Sequence, residues 1–279
     1  MSAALDSVEV WSGKGVSDEN FPVGSRLIRA NLRVHVHAFY DFARNADDIA
    51  DSPDLLPDDK LRRLNAMSDV LEGRSGTGSP SAAGLRASLT ETAVTSGHAL
   101  DLLRAFRQDA TKTRYANWPE LMDYCRYSAM PVGRHVLDLH GEHPSSHPPS
   151  DALCAALQVL NHLQDCRKDL LALDRCYLPA DMLSRFRSDV DDLQRPAQTP
   201  GLRRTFDALL DQTDALNRQA SELPRRVRDR RLRLETAVIV GLSHRLARRL
   251  RLGDPVATRV KLTKVDVVAS VAAALQWLA

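Results

Sequence analysis

Apolar positions recur at helical spacing along nearly the whole chain, and nowhere do several alternating β-branched runs stand between turn signals. A helix is predicted from about Ser25 to Asp51, introduced by Phe21-Pro22 and stopped by Pro53 and Pro57. Leu61, Leu64, Met67 and Leu71 mark a second, and Gly73 to Pro80 reads as a surface loop. Helical patterns resume from Leu85 to Arg107 and from Trp118 to about His140. The segment Gly141 to Ser150 breaks the chain, and Asp151 is expected to cap a helix running to Leu173. Arg175 to Pro179 reads as a non-helical connection, followed by patterns over about Arg203 to Leu223 and Arg231 to Leu252 and by a last helix. The expectation is an all-α fold of roughly ten helices, with residues 1–20 as an aperiodic N-terminal arm and 21–279 as one domain.

Composition narrows the function classes. The 279 residues carry 38 Lys+Arg against 36 Asp+Glu, so neither a polycationic nucleic-acid binder nor a polyanion is expected. The arginines of Arg225 to Arg233 and Arg245 to Arg251 lack interleaved aromatic residues, and a solvated helix face explains them better than nucleic acid does. Cys125, Cys154, Cys166 and Cys176 form no CxxC pair and no signal-like start is present, pointing to free thiols in the cytoplasm. The most apolar stretch, Val265 to Ala279, is interrupted by Asp266 and Gln276; it reads as a last core helix, with contact to a membrane surface as the alternative.

Two stripes carry the candidate chemistry. Tyr40, Arg44, Asp47 and Asp51 fall within roughly 40° of one line on a helix whose other faces bear Val36, Phe39, Phe42, Ala46 and Ile49. Asn161, Asp165 and Asp169 span about 80° on a helix otherwise rich in Leu and Ala. Such helices are too apolar to show their backs to water, so the polar stripes should face a cavity. Carboxylates gathered there repel one another unless cations lie among them, and hard oxygen donors with few His or Cys select Mg²⁺ carrying phosphate oxygens. The competing reading is that each stripe is a solvated acidic face.

The runs Tyr40 to Asp51 (YDFARNADDIAD), Tyr124 to Gly133 (YCRYSAMPVG) and Asn161 to Pro179 (NHLQDCRKDLLALDRCYLP) resemble the squalene/phytoene synthase family in order and separation, over nearly the whole chain. The resemblance implies a class I terpenoid synthase-like, single-domain isoprenoid synthase bundle around a central cavity, with Asp47 and Asp51 as the first metal-binding pair and Asn161, Asp165 and Asp169 as the second. Asp18 to Ser25 (DENFPVGS), Phe106 to Tyr115 (FRQDATKTRY) and Gln164 look like the bacterial hydroxysqualene synthase branch. Other branches usually carry Arg where Gln164 stands, and one basic group fewer suits an enzyme that holds one diphosphate. A second departure puts Asp174 where Gly usually precedes Arg175.

That branch implies Mg²⁺-dependent ionisation of presqualene diphosphate, rearrangement of the cation and capture by water as hydroxysqualene, in hopanoid biosynthesis. Arg44, Arg114 and Arg175 are the expected phosphate contacts, Gln164 and Tyr177 further substrate contacts, and Tyr40 and Tyr124 the candidates for orienting diphosphate, water or cation. Tyr177 and Pro179 could instead only shape the turn, and Gly133 only admit a close helix. The alternatives are condensation of farnesyl or geranylgeranyl diphosphate to presqualene diphosphate, squalene or phytoene, and a non-catalytic assembly factor. Expected partners are the prenyl diphosphate, a presqualene diphosphate synthase that hands it over, and the inner face of the cytoplasmic membrane, without nucleic acid.

Overall fold

The computed structural model describes residues 7–13 and 27–278, so Asp18 to Ser25 and most of the expected N-terminal arm lie outside the described residues. The fold is all-α: among the described residues there is no strand, only an isolated bridge between Arg114 and Cys176. Contacts group the chain into two compact units, residues 1–112 with 134–141, and residues 113–133 with 142–279.

The first unit holds α1 (Ala30–Asp51), α2 (Pro57–Leu71), α3 (Pro80–Thr92) and α4 (Gly97–Asp109). Helix α1 packs against all three others, burying Phe39, Phe42, Ala46 and Ile49 with Leu64, Met67, Leu85 and Leu103. Residues 7–13 dock here: Val8 N–H donates to Gly78 O, and Asn45 and Arg63 donate to the carbonyls of Val10 and Val8. The pattern expected as one helix through Leu85 to Arg107 is two, because Ala93 adopts φ +56° after Thr92 and the β-branched pair Val94-Thr95 follows.

The second unit contains α5 (Trp118–Ser128), α7 (His147–Leu173), α8 (Ala180–Arg185), α9 (Pro200–Ala220), α10 (Leu223–Arg226), α11 (Arg230–Leu252) and α12 (Lys264–Ala274); α6 (Met130–Leu139) spans residues of both units. The helix expected over Trp118 to His140 is thus also divided, at Ala129, whose φ of −127° leaves the helical region just ahead of Pro131 in the first turn of α6. Helix α7 begins four residues before the expected cap, since Pro148 and Pro149 fit a first turn that needs no N–H donors; Asp151 lies inside it. It packs on α9, α11 and α5, and ends where Asp174 takes φ +51°.

Gly133 lets α6 meet α7 closely: a Cβ there would collide with Ser150 Oγ and Cys154 Sγ. Overpacking such a contact costs about 1–3 kcal/mol. Gly133→Val is expected to lower unfolding free energy by that amount in denaturant titration.

His135 on α6 is buried in the first unit, stacked on Phe39 with centroids 3.9 Å apart, and neither ring nitrogen finds a hydrogen-bond partner. Burial pulls its pKa down to about 3, with His98 pushing the same way. Below pH ~6.5 the unfolded chain therefore binds a proton that the folded one refuses, so stability falls with falling pH by up to about 1.4 kcal/mol per unit until the folded pKa is reached. His135→Phe is expected to remove that slope in chemical denaturation measured between pH 7 and 5.

Candidate active site

On α1 the residues that reach the surface and those that do not alternate as the sequence demands. Phe39, Phe42, Asn45, Ala46, Asp48, Ile49 and Ala50 are buried; Tyr40, Arg44, Asp47 and Asp51 remain partly open along one side. Arg44 is not left to a ligand alone. Its Nε and Nη2 donate to Asp48 Oδ1 at 3.1 and 2.6 Å, and Nη2 also lies 3.1 Å from Asp47 Oδ2. Asp48, 2% exposed, further accepts Ser12 N–H at 2.9 Å. This buried pair was not singled out in the sequence, where Asp47 and Asp48 read alike; only the helical angle separates the outward Asp47 from the inward Asp48.

Asp47 feels the crowding. Its side chain keeps about a third of its surface (36%) open, yet its pKa is raised to about 8. Desolvation is the largest cause, then Asp51; Asp48 and Asp109 push the same way and Arg44 opposes. Burial and the neighbouring carboxylates both favour its neutral form, and Arg44 only partly offsets them.

On α7, Asn161, Asp165 and Asp169 are partly open, while His162, Leu163, Gln164, Cys166 and Leu170 are buried. Asp165 is bound by Arg259 in a two-pronged pair, Nε to Oδ1 at 2.7 Å and Nη2 to Oδ2 at 2.9 Å. Arg259 was not foreseen; 94 residues separate the partners and no local pattern links them. The neighbouring Gln164 turns the other way, is buried, and donates through Nε2 to Val260 O at 2.6 Å. Consecutive residues of α7 thus grip consecutive residues of the segment leading to α12.

The remaining expected residues of the second unit gather around the turn after α7. Tyr177 stacks on His162 with centroids 3.5 Å apart and on Tyr115 at 5.5 Å, and Tyr124 lies 5.7 Å from Tyr177, all buried. Burial and the charge of Arg175 hold His162 near pKa 3, so it stays neutral. Arg175 is buried close by. Arg114 is spent on the turn: it donates to Asp174 O and Oδ1 and to Thr113 O. The structure therefore brings Tyr124, Arg175 and Tyr177 together, sets Arg114 beside them as a clamp on the turn, and places Tyr40, Arg44, Asp47 and Asp51 on α1 of the other unit.

Among the described residues no three His, Cys, Asp or Glu side chains form a ready-made metal cage. Asp47 and Asp51, with Asn161, Asp165 and Asp169, offer only hard oxygen donors, and the charge crowding at Asp47 fits a cation there.

Removing Arg44 would strand the buried Asp48. Arg44→Gln is expected to cost roughly 3–5 kcal/mol in denaturant unfolding, with Asp48→Asn in the same chain restoring most of it.

Comparison with known proteins converges on one group. Residues 15–266 match the family described as squalene/phytoene synthase. The chain is 46% identical over 260 residues to a hydroxysqualene synthase of Rhodopseudomonas palustris, covering 93% of this chain and 89% of that one. It is 43% identical over 251 residues to a hydroxysqualene synthase of Sinorhizobium fredii, covering 90% and 86%. The solved squalene synthase HpnC from Alicyclobacillus acidocaldarius superposes with a TM-score of 0.73 at 32% identity, over 82% of this chain and 87% of that one. An all-α enzyme with two acid-bearing helices and these relatives has one place: the chain belongs to the squalene/phytoene synthase family.

Proposed function

We propose that the protein converts presqualene diphosphate to hydroxysqualene and inorganic diphosphate, with Mg²⁺ as its cofactor. The observation that carries this reading is the 46% identity, over nine-tenths of the chain, to a protein named hydroxysqualene synthase. The acid stripes support it: Asp47, Asp51, Asn161, Asp165 and Asp169 are all present and partly open, as metal ligands would have to be.

When bound, Mg²⁺ supplies charge to the diphosphate as its bond to carbon breaks and the electron pair leaves with oxygen. The chain's own residues do the rest. Asp47 and Asp51 on α1 would hold Mg²⁺ by oxygen, as would Asn161, Asp165 and Asp169 on α7. Arg175, buried beside the turn, is the candidate to donate to a phosphate oxygen. Tyr124, Tyr177 and the neutral His162 present aromatic faces and no anionic nucleophile, an environment that steadies a carbocation without trapping it. Water then adds its oxygen to the cationic carbon and loses a proton.

Gln164 bears on the choice of substrate. Its buried amide is taken up by the Val260 carbonyl, so this position contributes no positive charge and favours holding one diphosphate rather than two. The solved relative titled squalene synthase keeps farnesyl diphosphate condensation as the second reading. The substrate and product are lipids, so we also assign the enzyme to the cytoplasmic face of the membrane, receiving its substrate from a presqualene diphosphate synthase.

The test is incubation of the purified protein with Mg²⁺ and either presqualene or farnesyl diphosphate, without NADPH, followed by mass analysis of lipids. A triterpenoid alcohol from presqualene diphosphate alone is expected; consumption of farnesyl diphosphate would move the protein to the condensing reaction. Asp47→Asn and Asp165→Asn are each expected to lower turnover by about 10²-fold or more while leaving the melting temperature near that of the parent.

A further inference from the structure

Helix α12 turns its polar side inward. Its buried positions are Asp266, Ser270 and Ala274, one face at i, i+4 and i+8. That face is fixed to α11: Gly241 lies beneath Ser270, Arg245 Nε donates to Ser270 Oγ at 3.0 Å, and Arg249 Nε donates to Asp266 Oδ2 at 2.5 Å. The outward side carries Val265, Val267, Val268, Val271 and Leu275, of which Val265 and Val268 are 74% and 68% exposed. The tail expected as a core helix is thus a surface helix with its apolar residues on the outside. A soluble helix normally has the opposite arrangement, and a contiguous exposed apolar strip marks an interaction surface.

The charges around the strip select the partner. Lys261 and Lys264 are exposed at its start, and the Arg225 guanidinium sits over the Trp277 ring, 5.9 Å from its centroid, at its end. The single acid between residues 261 and 278, Asp266, is buried, bound by Arg249 and used to cap the helix through Thr263, so no carboxylate of this segment faces outward; beside its end Arg225 also pairs with Glu222 at 3.3 Å. Its pKa is held at about 2 by those contacts against the cost of burial, so it stays ionised and inward. Valines and a leucine flanked by cations, with a tryptophan at one end, match the boundary of an anionic bilayer, where apolar side chains enter the acyl region and Lys and Arg meet lipid phosphates. No helix among the described residues is long and apolar enough to cross a membrane, so the contact is one of lying on the surface.

We propose that α12 and the turn following it form an interfacial anchor that lays the face Val265, Val268, Val271 and Leu275 into an anionic lipid surface. The anchor gives the membrane location assigned above a physical basis, and it rests on that reading for its purpose, delivery and release of lipids, but not for its chemistry.

The experiment is co-sedimentation of the full chain with vesicles of phosphatidylcholine alone or mixed with phosphatidylglycerol, run beside analytical ultracentrifugation without lipid and turnover of detergent-dispersed presqualene diphosphate. The parent is expected to bind the mixed vesicles about tenfold or more tightly than the neutral ones, with binding falling as salt is added. Val268→Asp, and separately Lys261→Glu with Lys264→Glu, should reduce that binding to the neutral-vesicle level, leaving melting temperature and detergent turnover unchanged. Absence of vesicle binding by the parent, or undiminished binding by the variants, would overturn the proposal. So would a lipid-free dimer that Val268→Asp dissociates, which would assign the face to a second copy of the chain. Vesicle binding that depends on α12 in a protein that does not consume presqualene diphosphate would uphold the anchor while removing the proposed reaction.

Discussion

Carboxylates on helices packed into a core need positive charge where they are buried, and the manner in which each one obtains it organises this protein. Asp48 is deep enough to require a permanent partner and has one in Arg44, on its own helix one turn away. Asp47, one residue earlier and angled outward, is desolvated beside Asp51, Asp48 and Asp109 with only a share of the same guanidinium, and burial first, then those carboxylates, raise its pKa. The same contrast runs along α7, where Gln164 is neutral and buried while Asp165 reaches outward to Arg259. In each helix a structural contact sits one residue from a proposed metal ligand, so folding fixes the direction in which the ligand points.

The demand for charge also explains the turn after α7. Arg114 holds Asp174 in its left-handed conformation by binding both its carbonyl and its carboxylate. That contact sets the path of Arg175 to Leu178, and with it the packing of Tyr177 against His162, Tyr115 and Tyr124. The chain accepts φ +51° at an aspartate, a conformation Asp tolerates better than most residues. An arginine read from the sequence as a phosphate contact thus has a structural task.

Much of this was legible in the sequence because it follows from helical period. The stripe residues on α1 and α7 are partly open, as helical spacing suggests, but Val34, Asp41, Lys168 and Leu171 outside the stripes are open too, which tertiary packing and not periodicity decides. Breaks were harder: Ala93 and Ala129 interrupt patterns that remain in phase across the interruption, and neither is a residue that signals a helix end. Least visible were partners distant in sequence. Arg259 on Asp165, Glu142 accepting the N–H groups of Arg228 and Asp229, and Ser12 on Asp48 depend on tertiary packing that no local window contains. Helix α12 misled for a related reason. A valine-rich segment implies burial, but the side buried against α11 is the one with serine and aspartate.

In the proposed reaction carbon–oxygen ionisation is followed by capture of water, which oxygen labelling follows atom by atom. Presqualene diphosphate turned over by this protein in heavy-oxygen water should yield hydroxysqualene carrying the label at its hydroxyl group, with the released diphosphate unlabelled. An alcohol that retains the substrate's own oxygen, with label appearing in the phosphate, would mean cleavage at phosphorus and would contradict the account.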